Sequence, residues 1–209
     1  MAASLDALLT RPDLARLAVA LAEHTGRTIE LEGAMRYAAI ALVLRPTEDG
    51  DSDLLMIKRA EVERDPWSGH VACPGGRMEP TDRDLAQTAI RETWEETGID
   101  LSRDGRILGT LDDITPRTPT LPPIVIRPFV AVVRPDVTIV ESPEVAEAFW
   151  VPMAAIRETA SWGKALVPIR GVGEREVEVF RHGAYTIWGL THRALAQFVD
   201  VLAGKGERL

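Results

Sequence analysis

Only one of the 209 residues is a cysteine, Cys73, so no intramolecular disulfide can staple the chain. A reducing compartment, with the cytoplasm as the default, is the expectation that follows. No apolar run approaches the roughly 18–20 residues needed to cross a bilayer, so no membrane association is expected. The opening MAASLDALLTRPD carries an acid within its short apolar stretch and no basic start, which does not match a secretory signal. Positive charge is also scarce. With 24 Lys and Arg against 32 Asp and Glu, the net charge is −8, and a nucleic-acid binder needs the basic footprint this balance argues against. What remains is an ordinary soluble composition, 45% hydrophobic and 27% charged. That length can bury one core and leave a terminal extension.

Apolar spacing predicts a helix over residues 4–24, with Pro12 opening its main part and Gly26 ending it. RYAAIALVL at 36–44 and residues 53–58 read as two strands of a hairpin joined by the turn EDGD. Residues 61–69 form a loop carrying Arg64 and Trp67, and DDITPRTPTLPP at 112–123 is a second loop, long enough to be functional. Residues 106–111 and 124–133 read as strands, the latter expected at an edge or bulge because it contains Pro128. A strand over FWVPM and a short helix from 152 follow, then strands at 167–169 and 176–181. Residues 185–203 read as a strand running into a helix. His70, Trp188 and His192 are expected to pack, and Cys73 to be a buried thiol. No repeat or linker divides the chain. The expected division is a helical extension over 1–33 and one globular domain over 34–205.

The densest chemistry lies in residues 75–99, GGRMEPTDRDLAQTAIRETWEETGI. Glu92, Glu95 and Glu96 fall within about 100° of arc on one helix face, where like charges destabilise a helix. A hard divalent cation is a natural compensator, since Mg²⁺ and its relatives take oxygen ligands. Leu85, Ala86, Ala89, Ile90 and Thr93 form the opposite, small and apolar face that would pack on a sheet. Thr81 with Asp84 suggests a capping box, and Gly98 a left-handed C-terminal cap.

This stretch resembles the Nudix box, G-x5-E-x7-R-E-U-x-E-E-x-G-U with U an aliphatic residue. Gly76, Arg91, Glu92, Glu95, Glu96, Gly98 and Ile99 match it. Asp82 stands for the first Glu, eight residues rather than seven separate it from Arg91, and Thr93 occupies the first U. That longer gap is similar to the coenzyme A pyrophosphatase-like branch. So are LLMIKRA at 54–60 and GHVACPGG at 69–76, although Cys73 replaces the usual Phe and Glu79 an Asp.

The resemblance implies an α/β (α+β) Nudix fold, an α/β/α sandwich around a mixed sheet with an added N-terminal helix. It implies hydrolysis of a nucleoside diphosphate linkage with Mg²⁺ or Mn²⁺ as cofactor. The ligands would come from Glu92, Glu95, Glu96 and the carbonyl of Gly76. Arg91 would orient Glu92, Asp82 would secure its loop, and the general base would be Glu92, Glu95 or the loop acid Glu144. Arg59, Arg64 and Trp67 are the substrate-binding candidates, and Arg127 joins the two arginines as a cation for a 3′-phosphate. The leading substrate is coenzyme A or acyl-CoA, giving 3′,5′-ADP and (acyl-)4′-phosphopantetheine. ADP-ribose, NADH or a nucleoside triphosphate is the alternative, and a non-catalytic nucleotide-binding module is the alternative from another class. By analogy with the family, the N-terminal helix could serve a homodimer.

Overall fold

The computed structural model describes residues 4–30, 36–63, 67–116, 123–169 and 172–204. Two short helices open it, α1 (Leu5–Leu8) and α2 (Pro12–Glu23). Pro12 begins α2, where its missing N–H costs nothing.

Strands β1 (Arg36–Pro46) and β2 (Ser52–Arg59) form the expected hairpin. The short β3 (Val71–Ala72) and β4 (Gly75–Arg77) lead into helix α3 (Leu85–Thr97), then β5 (Gly105–Thr110), β6 (Ile124–Val133) and β7 (Val145–Pro152). These strands make one mixed sheet of order β3-β2-β1-β6-β5, with β4 paired to β1 and β7 to β2. Only the β1–β6 pairing is parallel among the pairs within it.

The period of two along β1 divides the core. Ala39, Ala41 and Val43 face α3, joining Phe129, Ala131 and Val133 of β6 and Ala89 of the helix. Ala38, Leu42 and Leu44 face the other way with Val130 and Val132. Leu14, Leu17 and Leu21 of α2 close over this second face. So does Phe198 of α5 (Gly189–Leu202). Helix α2 contacts both β5 and α5. The sheet is thus sandwiched between helical layers, as the resemblance implies.

The chain reaches α5 through α4 (Met153–Arg157), a 3₁₀ turn (Thr159–Ser161) and a separate antiparallel sheet. That sheet comprises β8 (Trp162–Ile169), β9 (Gly173–His182) and β10 (Tyr185–Trp188). No helix among the described residues is long and apolar enough to cross a membrane.

Two local expectations are corrected. Strand β6 is interior, flanked by β1 and β5. Pro128 is tolerated because its carbonyl, and hence its missing N–H, faces Leu111, one residue past the end of β5. The irregularity appears instead in β5, between Ile107 and Gly109. The cap of α3 is Asp84 itself, whose carboxylate accepts the Gln87 N–H at 2.8 Å. A helix starting after Asp84 leaves Thr81 in the preceding loop, outside the capping role.

Candidate active site

Helix α3 carries the acids, and β4 brings a glycine pair up to them. Gly75 and Gly76 lie opposite Ile40 and Ala39 of β1. Gly75 has φ +154°, and a Cβ there would lie 2.3 Å from the Ala39 carbonyl oxygen. At Gly76 a Cβ would lie 2.4 Å from Glu92 Oε1. Only bare backbone lets the sheet and the Glu92 carboxylate approach this closely.

Arg91 is the hub. Its Nε and Nη2 each donate at 3.0 Å to the two oxygens of Asp82, and Nη1 donates at 2.9 Å to Glu92 and to Glu95. Nη2 also donates to the Arg77 carbonyl at 2.9 Å. Asp82 is buried and further accepts from Thr88 Oγ1 and the Glu79 N–H. The Arg91 guanidinium holds the Asp82 carboxyl down at about 2. Asp82 is thus tied to both its own loop and Arg91, and Arg91 to Glu92.

Within the protein, part of the crowding of like charge is offset by Arg91. Arg91 bridges Glu92 and Glu95, while Glu96 is buried with 3% exposure. Burial pushes the Glu96 carboxyl up to about 8, opposed by the Gly75 N–H that donates to it at 2.8 Å. The charges of Glu92 and Glu144 push it the same way as burial, and Arg59, 3.8 Å from Glu96 Oε1, opposes them. Glu92 is raised too, first by burial, with Arg91 opposing.

Glu144 reaches this group from the turn before β7. Its carbonyl accepts the Ala60 N–H at 2.8 Å, beside Arg59 at the end of β2. Its side chain is exposed, and its charge acts on both Glu92 and Glu96. Glu92, Glu96, Glu144, Arg59 and Gly76 are therefore brought together. Glu95 stands at the margin, its side chain 46% exposed and bonded to Arg91.

Among the described residues, no three acidic, His or Cys side chains form a preset metal cage. The chemistry of the donors nevertheless fits a hard divalent cation. The Glu92 carboxylate lies against the bare backbone of Gly76, and the buried Glu96 carboxyl, bonded to the Gly75 N–H, adds a second oxygen donor group there.

The other candidates separate. Arg127 donates at 2.8 and 2.9 Å to both oxygens of Asp113, whose side chain is wholly buried. It neutralises that acid, which corrects the expectation of a cation spare for phosphate. Trp67 is half-buried in the turn before β3, its carbonyl accepting the His70 N–H. Arg64 lies outside the described residues. His70 packs on Trp188 with ring centroids 4.7 Å apart, and His192 on Trp162 at 5.1 Å, which supports structural roles. Cys73 is buried, its thiol pushed up to about 12 by burial, hence inert.

The box geometry agrees with comparison to known proteins, for the model of the NUDIX domain matches residues 35–168. The chain belongs to the Nudix hydrolase family. This Nudix chain is 30% identical over 167 residues to human mitochondrial coenzyme A diphosphatase NUDT8, covering 79% of the chain and 69% of that protein. It is 41% identical over 106 residues to a Schizosaccharomyces pombe protein, a match covering 48% of the chain and 32% of that longer protein. A MutT/nudix family protein from Enterococcus faecalis superposes with a TM-score of 0.56 at 15% identity, over 84% of this chain and 65% of that one. The last likeness shows the fold alone.

Sequence reasoning passed over Arg36, Tyr37 and Arg77. They line an open depression of about 500 Å³ with Met78, Glu79, Pro80 and Asp82. Arg77 follows the glycine pair directly, but at a variable position of the box, so nothing in the motif marked it.

Proposed function

We propose that this Nudix protein hydrolyses the diphosphate linkage of coenzyme A or acyl-CoA, giving 3′,5′-ADP and (acyl-)4′-phosphopantetheine. The observation that carries the reading is the meeting of Glu92, buried Glu96, Gly76, Glu144 and Arg59 at one end of the sheet. The name of the human relative and the upstream LLMIKRA and GHVACPGG segments support the choice of substrate.

The residues that would hold Mg²⁺ or Mn²⁺ are Glu92 and Glu96 with the Gly76 carbonyl, and Glu95 on leaving Arg91. Bound there, the ion supplies neutralisation of the diphosphate oxygens and acidifies water. Arg91 holds Glu92 against Gly76, so the carboxylate is set in place before substrate arrives. Arg59 adds positive charge beside Glu96, on the side from which Glu144 approaches. Glu144 is the best-placed proton acceptor in this reading, because it is exposed and its hydrogen bonds to the described residues run through its backbone. Trp67 as a stacking surface and Arg64 as a phosphate clamp belong to the same proposal. A small-molecule nucleotide is thus the partner, and a homodimer is part of the proposal by family analogy alone. The cytoplasm remains the proposed compartment on the strength of the single buried thiol, although the human relative is named mitochondrial.

The test is mass spectrometry of products after incubation with coenzyme A and Mn²⁺ or Mg²⁺. The reading expects 3′,5′-ADP and 4′-phosphopantetheine only with metal. Glu95→Gln and Glu96→Gln should each lower kcat by about tenfold or more. Intact coenzyme A beside cleaved ADP-ribose or NADH would overturn the substrate. Near-normal turnover in both folded variants would overturn the metal assignment.

A further inference from the structure

The depression lined by Arg36, Tyr37 and Arg77 begins where the acid cluster ends. Two of its lining residues, Arg77 through its carbonyl and Asp82 through its carboxylate, accept hydrogen bonds from Arg91, which also donates to Glu92 and Glu95. Arg91 therefore links the glutamates to two residues of the depression's lining.

Most described arginines are committed. Arg45, Arg59, Arg91, Arg103, Arg127 and Arg134 all stand against carboxylates. The side chains of Arg36 and Arg77 make no hydrogen bond or ion pair with any described residue, and both are exposed at the rim of the same concavity. Of the acids there, Asp82 is already neutralised by Arg91. Glu79 remains against two guanidinium groups, so the lining carries one positive charge in excess. In a chain of net charge −8, two unspent guanidiniums beside a catalytic helix are unusual. Guanidinium forks suit phosphate oxygens. Tyr37, Met78 and Pro80 supply the apolar wall that a sugar or base requires.

We propose that this depression is the subsite for the 3′-phosphorylated ribose of the nucleotide, with Arg36 and Arg77 taking the phosphomonoester. The proposal deepens the coenzyme A reading and rests on it for the identity of the ligand. It moves the phosphate cation from Arg127, which is spent on Asp113, to Arg36, outside the family box, and Arg77, at a variable position within it.

Binding in EDTA tests the subsite without metal or turnover. Calorimetry would compare 3′,5′-ADP with 5′-AMP, which lacks the 3′-phosphate, on the wild type, Arg36→Gln and Arg77→Gln. Arg83→Gln, an exposed arginine bonded to Gln87 outside the depression, is the control. The wild type and control should prefer 3′,5′-ADP by about tenfold or more, as expected for charge-assisted contacts, and both test variants should lose that preference. No preference in the wild type, or one that survives in both folded variants, overturns the subsite. Coenzyme A turnover is read separately. Its absence with the binding pattern intact would sink the substrate reading and leave the subsite standing, and cleavage with the preference unmoved would do the reverse.

Discussion

Titrating Mn²⁺ into the metal-free protein at pH 7 should release close to one proton per ion bound. Glu96 is the source. Burial holds its carboxyl at about 8, so roughly nine in ten molecules carry the proton at pH 7 and roughly one in ten at pH 9. A cation takes the carboxylate, not the acid, so binding must expel whatever proton is there. Calorimetric titrations in buffers of different ionisation enthalpy read the proton count directly. The count should fall from about 0.9 at pH 7 to about 0.1 at pH 9. The same linkage acts on stability without metal. Below the ordinary 4.5, folded and unfolded chains both hold this proton. Between 4.5 and about 8 only the folded chain does, and above about 8 neither does. The stabilisation is therefore present below 4.5 and lost as pH rises to 8. At about 1.4 kcal/mol per pKa unit, the loss is on the order of a few kcal/mol. Glu96→Gln removes the titration, so its thermal midpoint should decline less than the wild type's across pH 5–9 in EDTA. Zero proton release at pH 7, or parallel midpoints for the two proteins, would refute the reasoning.

Gly76→Ala places a methyl group 2.4 Å from Glu92 Oε1, so kcat should fall by about tenfold or more while circular dichroism stays native. Asp82→Asn breaks the fork to Arg91 and leaves that cation half-buried; denaturant unfolding should show a loss of about 3 kcal/mol. Because the Asp82 carboxyl is held down at about 2, its stabilisation is present above the ordinary 3.8 and lost as pH falls toward 2. A wild type and Asp82→Asn that differ equally at pH 2 and pH 6 would refute the role. Arg127→Gln strands buried Asp113; it should lower the unfolding midpoint and leave the preference for 3′,5′-ADP over 5′-AMP in place.

The box helix was legible because its signals are local. Periodicity put Ala89 on the sheet, Gly98 took the left-handed cap at φ +71°, and Glu92, Glu95 and Glu96 shared a face. The hairpin of β1 and β2 and the Pro12 start of α2 followed from local patterning in the same way. The errors came where a local rule met a distant partner. Pro128 suggested an edge, yet β5 stops before the missing N–H is needed, an arrangement set by strand pairing rather than by the sequence around the proline. Arg127 looked like a phosphate ligand because nothing near it in sequence disclosed that buried Asp113, fourteen residues away, would claim it.

Sequence alone determined the family, the acidic face and the adjacency of Arg91 and Glu92, for these depend on residue types at short, fixed spacing. Only tertiary structure decided which acid titrates nearest neutral pH, since the shift at Glu96 comes first from burial. It also decided which arginines remain free for a ligand. An ion pair depends on what folding brings within about 4 Å. Among the described residues, that left Arg36 and Arg77 without an acidic partner and gave Arg127 to Asp113.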